Sequence, residues 1–140
     1  MKKIFIHFFM AFNTFLIRIS GGKLGTQMRK QKVLILHTTG RKTGQSRAVP
    51  IAYFCEDKNF FIVGSNWGQE KHAHWYLNLK SNPRATLEVT GEKIPTLVRE
   101  AEGEEYARLW QVALEYNPNY AEYQKNIERR IPIMVFEPVT

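Results

Sequence analysis

A basic loop bracketed by glycines separates two apolar runs of this chain and constrains how it folds. The runs are Val33–Leu36 and Val49–Phe54. Glycines at positions 40 and 44 let the backbone turn tightly and let a ligand approach it closely, so the segment predicts two strands joined by a turn. Cations and hydroxyls crowd this turn, and they suit an anionic group such as phosphate or carboxylate. The residues that supply them are Arg41, Lys42, Thr43, Ser46 and Arg47. A solvated basic hairpin is the alternative that the loop alone leaves open.

Length and charge limit the class of protein. The chain has 140 residues, 44% of them hydrophobic, which is enough for one domain with one packed core. Its net charge of +7 favours an acidic partner, namely an anionic cofactor, an anionic membrane surface or nucleic acid. A single cysteine, Cys55, excludes an internal disulfide and fits a reducing cytoplasm. Because Cys55 lies in an apolar run, we expect it to be buried.

The N-terminal segment combines lysines with aromatic residues at helical spacing, which predicts an amphipathic helix over about Lys3–Ile19. The apolar run is too short for a confident membrane span and has no signal-peptide cleavage site. The helix either packs on the core or lies on a membrane surface. We therefore expect a helix over residues 1–20, a domain over residues 21–140, and a cytoplasmic protein with optional peripheral contact at the inner face of the cell membrane.

The rest of the chain predicts six strands with helices at intervals. The strands are Lys32–Thr39, Arg47–Glu56, Asn59–Ser65, Arg84–Thr90, Glu92–Ala101 and Ile131–Glu137. The helices are Glu70–Lys80, Gly103–Tyr116 and Asn119–Arg129. The elements do not alternate as strand, helix, strand, which argues against a parallel doubly wound sheet. The expected fold is α+β, a small and mostly antiparallel barrel with peripheral helices.

Several kinds of chemistry lack their sequence signals. His72 and His74 are two residues apart on a predicted helix and point to different faces, so no metal site is expected. His7 and His37 lie in apolar segments and are expected to be structural. Phosphate-binding glycine motifs, paired carboxylates and a nucleic-acid-binding module are also missing. Cofactor chemistry with a small-molecule partner is what remains.

Four later segments, taken in order with the basic loop, resemble the deazaflavin-dependent nitroreductase family. They are Gly64–Gly68, Glu70–Pro83, Tyr116–Tyr123 and Arg130–Pro138. The basic loop and the block Trp75-Tyr76-Leu77-Asn78-Leu79 are the specific parts of a resemblance that runs from about Gly21 to Pro138. It implies a split β-barrel of the FMN-binding split-barrel superfamily and an oxidoreductase function.

The resemblance also implies a cofactor, coenzyme F-420, a deazaflavin that carries a phosphate and an acidic glutamate tail. FMN is the alternative, because related split barrels use it. The cofactor-binding residues by resemblance are Arg41, Lys42, Thr43, Arg47, Ala48, Val49, Pro50, Ile51, Ala52, Val63, Gly64, Ser65, Asn66, His74, Trp75, Tyr76, Leu77, Asn78 and Tyr120. Within this set, the cations are expected to meet the anionic end, Trp75 to pack on the cofactor and Asn78 to hydrogen-bond it.

The acceptor implied by the resemblance is a quinone, a nitroaromatic compound or another conjugated molecule that takes a hydride. Its pocket is expected to be lined by Ala52, Trp67, Tyr116, Tyr120 and Tyr123. Ser65, Tyr120 and Tyr123 are the candidate catalytic residues that supply a proton. Relatives often have glycine where this chain has the bulky Trp67. A non-catalytic protein that holds a lipid or similar ligand at a membrane surface is the rival function, and monomer and homodimer both stay open.

Overall fold

The structure is a computed structural model that describes residues 32–139. The predicted helix Lys3–Ile19, the division of the chain near residue 20 and His7 lie outside the described residues. No helix within residues 32–139 is long and apolar enough to cross a membrane.

Seven antiparallel strands form one curled sheet in the described part of the chain, ordered β2-β1-β5-β6-β7-β4-β3. They are β1 Val33–Thr39, β2 Ser46–Ala52, β3 Phe54–Glu56, β4 Asn59–Val63, β5 Arg84–Val89, β6 Glu92–Glu100 and β7 Ile133–Pro138. With three helices beside the sheet, this is the α+β split barrel that the sequence predicts, and the fold prediction is confirmed.

One predicted strand is two. The run predicted as a single strand, residues 47–56, breaks at Tyr53, whose backbone N–H donates to the carbonyl of Lys32 at 3.1 Å. Before the break the chain pairs with β1, and after it the chain pairs with β4. Since β2 and β3 are opposite edges of the sheet but consecutive in sequence, the sheet must curl to bring its edges together. The ring centroids of Tyr53 and Phe60 lie 5.7 Å apart at this closure.

Three helices accompany the sheet: α1 His74–Ser81, α2 Gly103–Tyr116 and α3 Asn119–Lys125. The bounds of α2 match the prediction. Helix α1 begins four residues later than predicted, because residues 70–73 are not helical. Helix α3 ends four residues earlier than predicted, and β7 starts two residues later, so a non-helical segment that contains Arg129 lies between them.

Strands β4 and β7 are buried on both faces, which explains their continuous apolar sequences. Successive strand residues point to opposite faces, so Phe60 and Ile62 face one core while Phe61 and Val63 face another. The first core fills the barrel and receives α1. The second lies outside the sheet and is covered by α2 and α3. Helix α2 has an apolar stripe, with Leu109 and Ala113 at its centre, that packs in the second core.

The expectation that Cys55 is buried is wrong, because Cys55 is exposed. Strand β3 is an edge strand of three residues. Its one buried residue is Phe54, which packs in the second core. The neighbouring position, Cys55, therefore faces the other side of a strand that the barrel core does not fully cover. An apolar sequence context did not show which face this short strand would bury.

Candidate functional site

The basic loop joins β1 to β2 and is closed by its own backbone. The N–H of Gly40 donates to the carbonyl of Gln45 at 2.7 Å, and the N–H of Gly44 donates to the carbonyl of Gly40 at 2.8 Å. A Cβ atom at Gly40 would lie 2.9 Å from Oγ1 of Thr43, and Gly44 has a φ of +72°. Both glycines therefore meet a backbone requirement of the turn, one for close approach and one for left-handed geometry.

The carboxamide of Asn78 attaches this loop to α1. Its Oδ1 accepts hydrogen bonds from the backbone N–H of Arg41 at 3.1 Å and from Nη1 of Arg41 at 2.9 Å. Its Nδ2 donates to Oγ1 of Thr38 at 3.3 Å. Asn78 is only 4% exposed. The amide group of Asn78 thus positions Arg41, and its contact with a cofactor stays a prediction.

Cations remain available on the outer side of the loop. Lys42 and Arg47 are exposed, and Nη2 of Arg47 lies 3.5 Å from Oγ1 of Thr43. Arg41 is half-buried and its guanidinium reaches His74, with 3.5 Å to the carbonyl and 3.4 Å to Nδ1. Within residues 32–139, no carboxylate forms an ion pair with any of these three cations. The loop is therefore a concentrated positive patch beside α1.

A second segment, the loop from Gly64 to Gln69, is held by the guanidinium of Arg129. Nη2 donates to the carbonyls of Ser65 at 2.9 Å and Gln69 at 2.8 Å, and Nε donates to Gln69 at 3.1 Å. Nη1 donates to the carbonyl of Gly64 at 3.3 Å. Burial lowers the pKa of Arg129. One planar cation with donors in a fixed fork thus fixes the backbone of this loop.

His72 and Tyr76 connect the second segment to α1. Nδ1 of His72 lies 3.5 Å from Nη1 of Arg129, and the His72 ring stacks on Tyr76 with centroids 4.4 Å apart. The hydroxyl of Tyr76 donates to Oε1 of Glu100 at 2.8 Å. Burial, together with this hydrogen bond, raises the pKa of Tyr76 to about 12. The two loops that the resemblance assigns to one cofactor are therefore both joined to α1.

The predicted aromatic residues differ in burial and in the core that they contact. Trp75 is 7% exposed and packs in the barrel core, so it is a core residue here. Tyr116 ends α2, is 58% exposed and packs on Phe54 at 4.8 Å between ring centroids. Tyr120 is 6% exposed and packs in the second core. Tyr123 adjoins the second loop, where its ring lies against Gly68. The role of the three tyrosines in an acceptor pocket stays a prediction.

The other predicted site residues occupy strand and loop positions of mixed burial. In the β2 segment, Ala48 is exposed, Val49, Ile51 and Ala52 are half-buried, and Pro50 is buried. In the second segment, Val63 and Gly64 are buried, Ser65 and Asn66 are half-buried, and Trp67 is exposed. On α1, Leu77 is half-buried against the barrel core.

Another recess, of about 550 Å³, is lined mainly by residues of β1, β5 and β6, including Thr39, Arg84 and Leu97. It adjoins the basic loop, because Ser46 and Thr38 also line it. His37 also lines it and pairs with Glu88 at 3.0 Å, as expected for a structural histidine. No cluster of three metal-ligating side chains occurs among residues 32–139. The candidate site is thus the surface of the two loops and α1.

Sequence reasoning missed Arg129 and the groups around it. The side chain of Gln124 donates to the carbonyl of Arg129 at 2.8 Å and accepts from the N–H of Ile131 at 2.8 Å. The carboxylate of Glu70 accepts from the N–H of Glu128 at 3.1 Å. These side chains bind backbone atoms. For Arg129 and Glu70, the side chain and the backbone atom that it binds are about 60 residues apart in the sequence. No residue type or spacing at the target marks such a contact in a single sequence.

Comparisons with known proteins agree on one family. The sequence profile of the F420H(2)-dependent quinone reductases matches residues 10–138. An F420H(2)-dependent quinone reductase of Mycobacterium tuberculosis is 37% identical over 105 residues, covering 73% of this chain and 70% of the relative. A solved structure of an F420-H2 dependent reductase is 38% identical, with a TM-score of 0.69 over 75% of this chain and 93% of that one. Another, described as a domain-swapped dimer, is 38% identical with a TM-score of 0.70, over 75% and 79%.

Replacing Asn78 tests whether its carboxamide holds the basic loop. We expect Asn78→Ala to lower the free energy of unfolding by about 1–3 kcal/mol, because it leaves the Arg41 N–H and the Thr38 hydroxyl without their partner. Urea denaturation measures the loss. Asn126→Ala, at an exposed position after α3, is the control and should change stability by less than about 0.5 kcal/mol. Equal stability of the two variants would contradict the assignment.

The environment of His72 predicts a pH dependence of stability. Burial and the Arg129 guanidinium lower the pKa of His72 in the folded protein, whereas in the unfolded chain it is about 6.5. Between these two pKa values the unfolded state binds more protons than the folded state. The contribution of His72 to stability is therefore fully present above about pH 6.5 and is lost as the pH drops below that value. When the pH is lowered from 7.5 to 5.5, we expect the Tm of His72→Gln to fall by less than the Tm of the parent protein. Equal losses would remove His72 as the source.

Proposed function

The chain belongs to the family of F420H(2)-dependent quinone reductases, oxidoreductases that use coenzyme F-420, and we propose that its basic loop binds the anionic end of that coenzyme. The observation that carries the proposal is the set of three cations that have no carboxylate partner within residues 32–139, fixed to α1 through Asn78. Unpaired cations close together repel one another, and an anionic ligand removes that cost. The phosphate and carboxylates of F-420 have the required charge.

The donor set of the loop fits this ligand. Lys42 and Arg47 are exposed and free to contact phosphate or carboxylate oxygens, and Thr43 adds a hydroxyl beside Arg47. Arginine offers paired donors that match such oxygens, while lysine acts as a compact charge. Arg41 has a positioning role, since part of its guanidinium already binds Asn78 and His74. Ala48 to Ala52 of β2 continue from the loop and are assigned to the ring side of the coenzyme.

The acceptor side of the site is assigned to the second loop. When bound in its reduced form, the deazaflavin supplies a hydride for a quinone acceptor. The protein's task is to exclude water, orient the acceptor and deliver one proton to it; the hydride and this proton together supply the two electrons and two hydrogens that convert the quinone to a hydroquinone. Ser65 and Tyr123 are half-buried at this loop and are the proposed proton donors. Tyr120 is left out of this role because it lies within the second core.

The comparisons narrow the class of acceptor that the resemblance to nitroreductases implies. The matched family is named for quinones, which are planar conjugated acceptors of two electrons. We therefore place nitroaromatic compounds second and quinones first among the acceptors to be tried. FMN serves as the competing cofactor in the binding experiment, since it carries a phosphate without the acidic tail.

Binding of F-420 to loop variants tests the proposal. Titration of the purified chain with oxidised F-420, followed by fluorescence, should show saturable binding that is tighter than that of FMN. We expect Lys42→Ala and Arg47→Ala each to raise the dissociation constant of F-420 by about 5- to 150-fold, the equivalent of about 1–3 kcal/mol for a charged hydrogen bond.

Lys58→Ala is the matched control, because Lys58 is an exposed cation in the turn between β3 and β4. The affinity of the Lys58→Ala variant for F-420 should equal that of the parent protein. Unchanged affinity in both loop variants rejects the loop as the anion site. Binding of neither cofactor by the parent protein would favour a ligand-holding protein over an enzyme.

We further propose that residues 1–19 hold the enzyme against the inner membrane surface, where lipid-soluble quinones are found. The support is the sequence alone, with aromatic residues at helical spacing flanked by lysines and arginine. The full chain should co-sediment with vesicles that contain anionic lipid, and Phe5→Ser with Phe8→Ser should reduce the bound fraction severalfold. Equal co-sedimentation of both proteins would reject this contact without affecting the cofactor assignment.

A further inference from the structure

Trp67 stands in a left-handed backbone conformation that is unusual for a bulky residue. Its φ is 59° and its ψ is 25°, and its neighbours Asn66 and Gly68 have φ values of 49° and 77°. A left-handed conformation is strained for any residue with a Cβ atom, and it persists only where the surrounding structure imposes it. Two of these three residues, Asn66 and Trp67, carry a Cβ atom, so the turn is a strained feature of the second loop.

The surroundings hold the turn from several sides. The N–H of Gly68 donates to the carbonyl of Ser65 at 3.0 Å, and Nδ2 of Asn66 donates to the carbonyl of Lys71 at 2.9 Å. Arg129 binds the carbonyls on both sides of the turn. A Cβ atom at Gly68 would lie 2.7 Å from the Tyr123 ring, so the backbone is pressed against that ring. These contacts fix the backbone of the turn and with it the direction of the Cα–Cβ bond of Trp67.

The side chain of Trp67 is partly exposed to solvent. Trp67 is 43% exposed and belongs to neither core, while the other two tryptophans, Trp75 and Trp110, both pack in a core. The large apolar surface of an indole is costly to leave in water. The turn also places Trp67 two residues after Ser65 and one residue before Gly68, which lies against Tyr123. A partly exposed aromatic side chain on a fixed backbone turn suits a flat conjugated ligand.

We propose that Trp67 is a specificity-determining residue that stacks on the planar ring of the acceptor. The proposal rests on the proposed function, because it concerns the acceptor of that reaction. It assigns the strain a purpose, since the left-handed turn leaves the indole partly exposed in a loop whose Gly68 lies against Tyr123. The stack favours acceptors with a flat fused ring system over small or non-planar ones.

Four variants test this with menadione, a naphthoquinone, as the acceptor and reduced F-420 at saturation. Trp67→Gly and Trp67→Ala should each raise KM for menadione about three- to tenfold and leave kcat within about twofold. Trp67→Phe keeps a ring and should show a smaller rise. Thr90→Gly, at a left-handed position in the distant β5–β6 turn, should leave KM unchanged. An unchanged KM in the glycine and alanine variants overturns the proposal.

Two further readouts separate stacking from a structural role. Since glycine accepts a positive φ and alanine does not, Trp67→Gly should melt about 4 °C above Trp67→Ala, the reverse of the order at ordinary positions. The opposite order overturns the strained turn on which the proposal rests. The dissociation constant of F-420 should be the same in all Trp67 variants. A large change in it would place Trp67 at the cofactor and overturn the proposal.

Intrinsic fluorescence keeps the proposal decidable if the parent protein does not bind F-420. Menadione should quench the parent protein saturably, because the indole of Trp67 is the exposed one of three, and Trp67→Phe should lose that saturable component. Quenching that persists in Trp67→Phe overturns the stack. Absent F-420 binding with intact Trp67 quenching would reject the cofactor assignment alone.

Discussion

Burial of β4 and β7 on both faces is the constraint on which this structure depends. The two strands separate the barrel core from the second core, and neither core could form without them. They pair in antiparallel register, with Val63 opposite Ile133, so the segment after β4 and the segment before β7 meet at the same end of the sheet. The N–H of Gly64 donates to the carbonyl of Pro132 at 2.7 Å at that end. Arg129, three residues earlier, is thereby brought to the carbonyls of the second loop.

Two guanidinium groups have similar tasks at the candidate site. Arg129 fixes the second loop through backbone carbonyls, and Arg41 fixes the basic loop through Asn78. Arginine suits both positions because its donors are arranged in a rigid plane and its charge persists when it is partly buried. The cations left for a ligand are Lys42 and Arg47, on the exposed side. Charge count in the sequence overstates the number of binding cations, since one cation of the loop is used for positioning.

The sequence predicted the elements well because apolar periodicity and turn residues mark them locally. It correctly placed the ends of α2 and the turn between Gly40 and Gly44. It did not predict that the β2–β3 run divides at Tyr53, because the division follows from sheet closure, and closure depends on pairing with distant strands. It could not show that Trp75 and Tyr120 belong to cores, since a tryptophan on a short helix has the same spacing whether it faces a ligand or a core.

Within residues 32–139, non-glycine residues with left-handed backbone occur at two kinds of place, and the difference bears on the site. Asp57 and Thr90 lie in the turns of the β3–β4 and β5–β6 hairpins, where such conformations match the twist of the strands. Asn66 and Trp67 lie between a strand and a helix, where no hairpin requires them. A glycine at position 67 would form the same turn with less strain. The turn itself is therefore a property of the loop and its Arg129 anchor, while the indole is an addition that its backbone opposes. The proposed stack on an acceptor ring would give the indole a role that the turn itself does not require.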